Sequence, residues 1–303
     1  MSLFTNWLES LSYDLEAADH CLRKTSPFSS CTACIDNCPE QAIQGEKGTL
    51  TIDHNRCNGC GRCITLCPVQ ALMGESPRRQ TLNGMLIFDD GPLPTINELF
   101  YLYKRGIRSV YVKTEGEALT ELKRIIEEVN SPLVKMGKEP ISIASELVMT
   151  TPERKVSRRD FFTNVTSSSK KLALSTAAPA KWRFNQEQFK VTEMFEGWSL
   201  YSVEINSSCT LCETCFKLCP SNVFTLKDSQ LEIHSDKCSG CMLCVDVCMD
   251  KGILMNQEVK EAQPVIMNVE HNTCKRCHSS FTSRKKEENC PICKKRANLN
   301  FLF

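Results

Sequence analysis

The 303-residue chain has no apolar run approaching the ~20 residues that a membrane helix needs. Residues 1–20 carry no Lys or Arg, and Glu9, Asp14 and Glu16 sit where the apolar stretch of a secretory leader would run. A cytoplasmic protein is therefore expected. Charge imbalance is also missing: 37 basic residues face 36 acidic ones, a net of +1, so bulk electrostatics selects no partner. No G-x-G-x-x-G or P-loop stands between a strand and a helix, and no acid–base or nucleophile constellation stands out. His20, His54, His234, His271 and His278 lie near cysteine loops and read as surface or supporting residues.

What is present is cysteine, 20 of them in a chain whose 41% hydrophobic and 24% charged residues are ordinary globular composition. Most lie two or three residues apart, a spacing that rarely meets disulfide geometry and suits metal ligation. Three groups account for all of them. The first is Cys21, Cys31, Cys34, Cys38, Cys57, Cys60, Cys63 and Cys67; the second is Cys209, Cys212, Cys215, Cys219, Cys238, Cys241, Cys244 and Cys248. The third is Cys274, Cys277, Cys290 and Cys293. A generic hydrolase is excluded, and metal centres are indicated.

In the second group the run C-x2-C-x2-C-x3-C occurs twice, from Cys209 to Cys219 with Pro220 after it, and from Cys238 to Cys248 with Met249 where Pro is usual. The first group contains the complete run Cys57 to Cys67, followed by Pro68. Its companion, Cys31-x2-Cys34-x3-Cys38-Pro39, has Phe28 in the leading position. Both groups resemble the bacterial two-cluster ferredoxin family, over about residues 21–75 and 205–256. The resemblance implies two [4Fe–4S] clusters per module, each taking its fourth thiolate from the other run. Carried over, one cluster takes Cys209, Cys212, Cys215 and Cys248, and its neighbour takes Cys238, Cys241, Cys244 and Cys219. In the first module one takes Cys57, Cys60, Cys63 and Cys38. The other takes Cys31, Cys34 and Cys67, with Cys21 as the only thiol available to complete it through the longer loop Leu22 to Ser30. The alternative is a three-iron site with Cys21 as an ordinary buried thiol. Apolar residues after each run, Ala42-Ile43, Ala71-Leu72, Val223-Phe224 and Ile253-Leu254, are expected to shield the clusters. Short β-pairs are expected at Thr49–Ile52 and Leu231–Ile233.

The third group, Cys274-x2-Cys277-x12-Cys290-x2-Cys293, has the spacing of a tetrahedral four-thiolate site. Zinc is the expected occupant. A single iron, as in the similar rubredoxin knuckles, is the alternative, although His278 and Lys294 replace the glycine usual there. From Cys274 onward eight Lys/Arg face Glu287 and Glu288, which reads as a solvated small domain before it reads as a nucleic-acid surface.

Between the modules, Met85–Phe88, Val110–Val112 and Pro140–Ile143 read as strands, with Thr95–Lys104 and Ala118–Val129 as amphipathic helices. That makes a small parallel βαβαβ unit, read as a scaffold. Residues 157–162 resemble the core of a twin-arginine export signal, but about 155 residues precede it and Lys170-Lys171 interrupts the stretch downstream. Trp182, Phe184, Phe189, Phe195 and Trp198 are expected to pack on the second module.

The fold expected is thus α+β: an N-terminal amphipathic helix (1–20), ferredoxin module one (21–80), a small α/β domain (81–150), a linker (151–200), ferredoxin module two (201–260) and a zinc ribbon (268–303). The function expected is iron–sulfur electron transfer, as an electron-relay subunit or partner of a larger oxidoreductase. Hydrogenase, formate dehydrogenase and molybdopterin enzymes are the candidate redox partners, with nucleic acid the weaker one. Two alternatives stand beside it: an enzyme whose middle domain binds flavin or a substrate, and a redox-sensing regulator that binds nucleic acid.

Overall fold

The computed structural model describes residues 15–46, 48–89, 91–113, 115–144, 146–147 and 189–299. It is an α+β structure of several small sheets. The first cysteine-rich part runs β1 (Glu16–Ala17), α1 (Leu22–Thr25), α2 (Ala33–Asp36), β2 (Ile43–Gln44), β3 (Thr51–Ile52), α3 (Arg62–Leu66) and β4 (Leu72–Met73). Two antiparallel pairs, β1–β4 and β2–β3, close it. Helices of four or five residues have no stability of their own; these are held by burial of Ile43, Ile64 and Leu72. Of the expected N-terminal helix, residues 1–14 lie outside the described residues. Beyond them the chain is a strand instead, Glu16 and Ala17 pairing with Met73 and Leu72.

The middle part comprises β5 (Gln80–Leu82), β6 (Met85–Phe88), α4 (Ile96–Lys104), β7 (Ser109–Val112), α5 (Glu117–Lys135) and β8 (Ser142–Ala144). Strands β6, β7 and β8 are parallel, as the βαβαβ reading expects. The unexpected element is β5, an antiparallel edge on β6. Its turn is Asn83-Gly84, both at positive φ (50° and 75°), the signal of a tight hairpin. Helix α4 begins in a capping box, with the Thr95 hydroxyl accepting from the Glu98 N–H at 3.2 Å. The same Glu98 meets Arg79 at 2.6 Å with both side chains buried, pinning the approach to β5 against α4. Thr95 also bonds Thr65 at 2.9 Å, which fixes this sheet-and-helix unit to α3 of the first cysteine-rich part.

Phe189 and Phe195 depart from expectation. Both are buried against α4, Phe195 with Phe100 (centroids 5.2 Å) and Phe189 with Tyr101 (4.9 Å), and Trp198 packs on the same core. The apolar face of α4, with Phe100 and Tyr101, is what buries these rings. Trp182, Phe184, the twin-arginine-like run and most of the linker lie outside the described residues.

The second cysteine-rich part comprises β9 (Trp198–Ile205), α6 (Thr214–Leu218), β10 (Phe224–Lys227), β11 (Gln230–Ile233), α7 (Leu243–Asp246) and β12 (Ile253–Glu261). β9 and β12 pair along their length, and β13 (Val265–Asn268) adds to β11. The chain then forms the hairpin β14 (Glu270–Thr273) and β15 (Ser280–Ser283), and ends its described part in α8 (Pro291–Leu299).

The two cysteine-rich parts share one apolar core. Leu22, Val69 and Ala71 from the first join Leu231, Leu243 and Val247 from the second. Full burial of a Leu or Val side chain contributes on the order of 1.5–3 kcal/mol, so separating the two parts would forfeit several such terms.

Candidate metal centres

Three cavities in the structure are each lined by four thiols. One holds Cys38, Cys57, Cys60 and Cys63. The next holds Cys21, Cys31, Cys34 and Cys67 beneath Leu22, Leu50 and Leu72. The third holds Cys219, Cys238, Cys241 and Cys244 beneath Val203, Phe224 and Leu243. In the second part Cys209, Cys212 and Cys248 are the thiol neighbours of Cys215. The three cavities gather three of the four sets that the ferredoxin resemblance groups together, and the thiols of the fourth act on Cys215.

The loops explain how widely separated thiols converge. After every fourth cysteine, the residue three positions on is left-handed: Gln41, Gln70, Asn222 and Lys251 all have φ near 50°. That turn swings the next backbone N–H back onto the sulfur. Ala42, Ala71, Val223 and Gly252 donate to Cys38, Cys67, Cys219 and Cys248 at 3.1–3.5 Å. In the three complete runs, the residues two and four beyond the leading cysteine are also left-handed, as Gly59/Gly61, Leu211/Glu213 and Gly240/Met242. At Gly252 there is room for no side chain, because a Cβ would lie 2.5 Å from the Cys209 Cα.

The incomplete run breaks this pattern. Phe28, in the leading position, is 66% exposed, and the chain from Cys21 to Ser30 takes a different path. Cys21 sits at the start of α1, and Thr25 and Arg23 tie that helix to the Cys21 and Cys31 carbonyls.

Electrostatics report the same neighbourhoods. Burial, then the charges of Cys67, Cys31 and Cys21, push the Cys34 thiol up to about 12. Burial and then Cys209, Cys212 and Cys248 push Cys215 up to about 12. Burial and the thiols of Cys241, Cys238 and Cys219 do the same to Cys244. Cys63 is raised by burial, then by Cys34 and its own three cavity partners. For Cys212, which is exposed, burial is outweighed by hydrogen bonds from Thr214 and Thr210, and the thiol falls below its ordinary value. Crowded buried thiols of this kind repel one another as thiolates, and a cationic metal core relieves that repulsion. Four thiols around a largely apolar cavity fit a [4Fe–4S] cube, which takes four thiolates.

The thiol groups also act on one another: Cys34 raises the Cys63 thiol, and Cys215 that of Cys244, so the first two groups lie within electrostatic reach of each other, as do the last two. Between the halves, Cys31 is within electrostatic reach of Cys241 and helps raise its thiol. At that seam the Asp246 carboxylate accepts from the Ser30 N–H at 2.8 Å and the Ser30 hydroxyl at 2.9 Å.

The C-terminal group is built differently. Among the described residues only Cys274, Cys277, Cys290 and Cys293 bring four such ligand atoms within 4.8 Å of one another. Cys277 and Cys290 sulfurs are 3.8 Å apart. A tetrahedron with metal–sulfur bonds of about 2.3 Å has edges close to that length, so the group fits a single ion and excludes a cube. The backbone N–H of Cys290 helps lower the Cys274 thiol to about 6, while burial and the three partner thiols raise Cys293 to about 12.

A 4Fe-4S dicluster domain model matches residues 29–71, and a second 4Fe-4S dicluster domain model matches residues 202–249. A search of curated proteins finds no match to the chain. Sequence, cavities and matches together point to iron–sulfur, metal-binding chemistry. In particular, the chain carries two 4Fe-4S dicluster domains. The first match begins downstream of Cys21, so the case for that thiol rests on the cavity it lines. No helix among the described residues is long and apolar enough to cross a membrane.

Proposed function

We propose that this protein is an electron relay with four [4Fe–4S] sites in a single row, working as a subunit or dedicated partner of a larger oxidoreductase. Bound clusters would supply one-electron exchange without substrate chemistry. The residues read as ligands are Cys38/Cys57/Cys60/Cys63, then Cys21/Cys31/Cys34/Cys67, then Cys219/Cys238/Cys241/Cys244, then Cys209/Cys212/Cys215/Cys248. The observation that carries the relay reading is the seam between the halves, where Ser30 bonds Asp246 and Leu22 is buried in one core with Leu243 and Val247. Two unconnected ferredoxin modules would have no such contact.

The chain's own residues do the remaining work. Leu22, Leu50, Val203 and Leu243 keep water from the inner sites, which lowers the solvent response to a change of charge. The row reaches the surface at both ends. Cys60 lines a cleft of about 430 Å³ with Arg78 and Asp89, and Cys212 is exposed at the other end. Two accessible ends suit one donor and one acceptor protein, with hydrogenase, formate dehydrogenase and molybdopterin systems as the candidate classes. The C-terminal group is read as a structural zinc ribbon, and the location as cytoplasmic.

The regulator reading loses support from the ribbon's own contacts. Lys275 pairs with Glu288 and Lys294 with Glu287, while Arg284 and Lys295 turn inward onto the second module. The test is an iron, sulfide and zinc count on anaerobically purified protein. About sixteen irons, four per cube, with one zinc would support the relay. Zinc throughout with little iron would remove it.

A further inference from the structure

The C-terminal ribbon does not hang free. It is latched at three points onto the loops that carry Cys209, Cys212, Cys215 and Cys248. The Lys295 ammonium meets Asp250 at 2.6 Å, two residues beyond Cys248. Asp250 in turn accepts from the Thr210 hydroxyl at 2.9 Å, inside the Cys209–Cys212 loop. Arg284 donates to the carbonyls of Ile205 and Asn206, just ahead of Cys209. The buried Thr282 hydroxyl bonds Glu213, between Cys212 and Cys215, at 3.4 Å. A metal held by Cys274, Cys277, Cys290 and Cys293 would fix this short hairpin and helix, and with them the places of these side chains.

The two cations are not equivalent. Lys295 is compensated by Asp250. Arg284 bonds only backbone carbonyls, and among the described residues it pairs with no carboxylate. Adding an electron to a cluster adds a negative charge, and a fixed cation nearby stabilises the reduced form. Exposed charges do this weakly and in a salt-dependent way, because water and ions screen them.

We propose that the ribbon is an electrostatic cap on the outermost iron–sulfur site: Arg284 and Lys295 raise the reduction potential of the cluster held by Cys209, Cys212, Cys215 and Cys248, so that a redox-silent metal site tunes one end of the relay. Neither residue is a ligand; both are positioning residues that act through space. The inference rests on the four-cluster reading.

The test is a potentiometric titration of the full-length protein, followed by electron paramagnetic resonance, on the parent and on Arg284→Gln, Lys295→Gln, Lys295→Gln with Asp250→Asn, and Lys123→Gln on α5 as a remote control. Iron and zinc counts accompany each variant, so that loss of a site is not mistaken for a shift. In Arg284→Gln and in Lys295→Gln, one of the four sites becomes harder to reduce. Its reduced-to-oxidised ratio at a fixed potential falls about threefold or more in low salt, and by less in high salt. The pair variant returns towards the parent, because removing Asp250 removes the charge that Lys295 was offsetting. Full metal content with no shift, or an equal shift at all four sites or in Lys123→Gln, overturns the inference and leaves the relay reading standing. A parent that lacks the four cubes overturns both.

Discussion

The Asp246 carboxylate at the end of α7 accepts from both the N–H and the hydroxyl of Ser30, 216 residues earlier in the chain. Ser30 is the last residue of the irregular loop between Cys21 and Cys31, so the segment that departs from the ferredoxin pattern is the one that joins the two halves. Leu22, from the same loop, is buried in the shared core at 2% exposure. The loop therefore serves two ends: it brings Cys21 to its cavity, and it docks the first dicluster domain on the second.

Removing that clip weakens the seam without unfolding either half. Asp246→Ala is expected to cost about 0.5–1.5 kcal/mol, the ordinary net value of a hydrogen bond, because the site is exposed. Leu22→Ala is expected to cost more, about 2–5 kcal/mol. Denaturant unfolding gives the two costs. Magnetic interaction between the reduced halves, read by electron paramagnetic resonance, should decline in both variants at unchanged iron content. An interaction undiminished in both would mean that neither the clip nor Leu22 sets the spacing of the halves.

Cys21 separates a cubane from a three-iron site. Cys21→Ser should lower the iron count by about one per chain, leaving the three thiols Cys31, Cys34 and Cys67 to hold a smaller cluster. A count equal to the parent would make Cys21 a bystander.

Gly252 is a steric probe of the outermost site. A Cβ there would approach the Cys209 Cα to 2.5 Å, and backbone on both sides leaves little to give way. Gly252→Ala should therefore lose iron from the Cys209, Cys212, Cys215 and Cys248 site first. Iron analysis with spectroscopy of the remaining sites would reveal a uniform loss if this assignment were wrong.

The Arg79–Glu98 pair tests the middle unit independently of any metal. With Arg79 10% and Glu98 3% exposed, removing one partner strands a buried charge. Arg79→Met should destabilise by about 3–5 kcal/mol, and a thermal melt of the parent and variant checks it. A loss below about 1 kcal/mol would mean that the pair is solvated.

Much of the chemistry was legible in the sequence because ligand spacing is local. A C-x2-C-x2-C loop can direct its sulfurs inward with only a few dihedral angles, and the repeated left-handed residues do so at Gly59, Leu211 and Gly240 alike. The C-terminal knuckles and the helices with apolar periodicity are short-range signals of the same kind. The strand Gln80–Leu82 was missed: its three residues have no apolar pattern to mark it, and the Asn83-Gly84 turn that pairs it with β6 was the signal that could have found it. By contrast, Glu16–Ala17 became a strand because Leu72–Met73 offered it a partner, and no property of residues 1–20 names that partner.

Sequence by itself thus determined the thiol pattern of this protein: which thiols exist, how they are spaced, and that one run lacks its leading cysteine. Only the tertiary structure decided what those thiols are next to. That Ser30 meets Asp246, that Phe189 and Phe195 choose α4, and that Arg284 and Lys295 turn onto the second module all depend on contacts between residues far apart in the chain. Such contacts are set by which apolar surfaces can be buried together and which charges find partners, and those are properties of the assembled fold, not of any local run of residues.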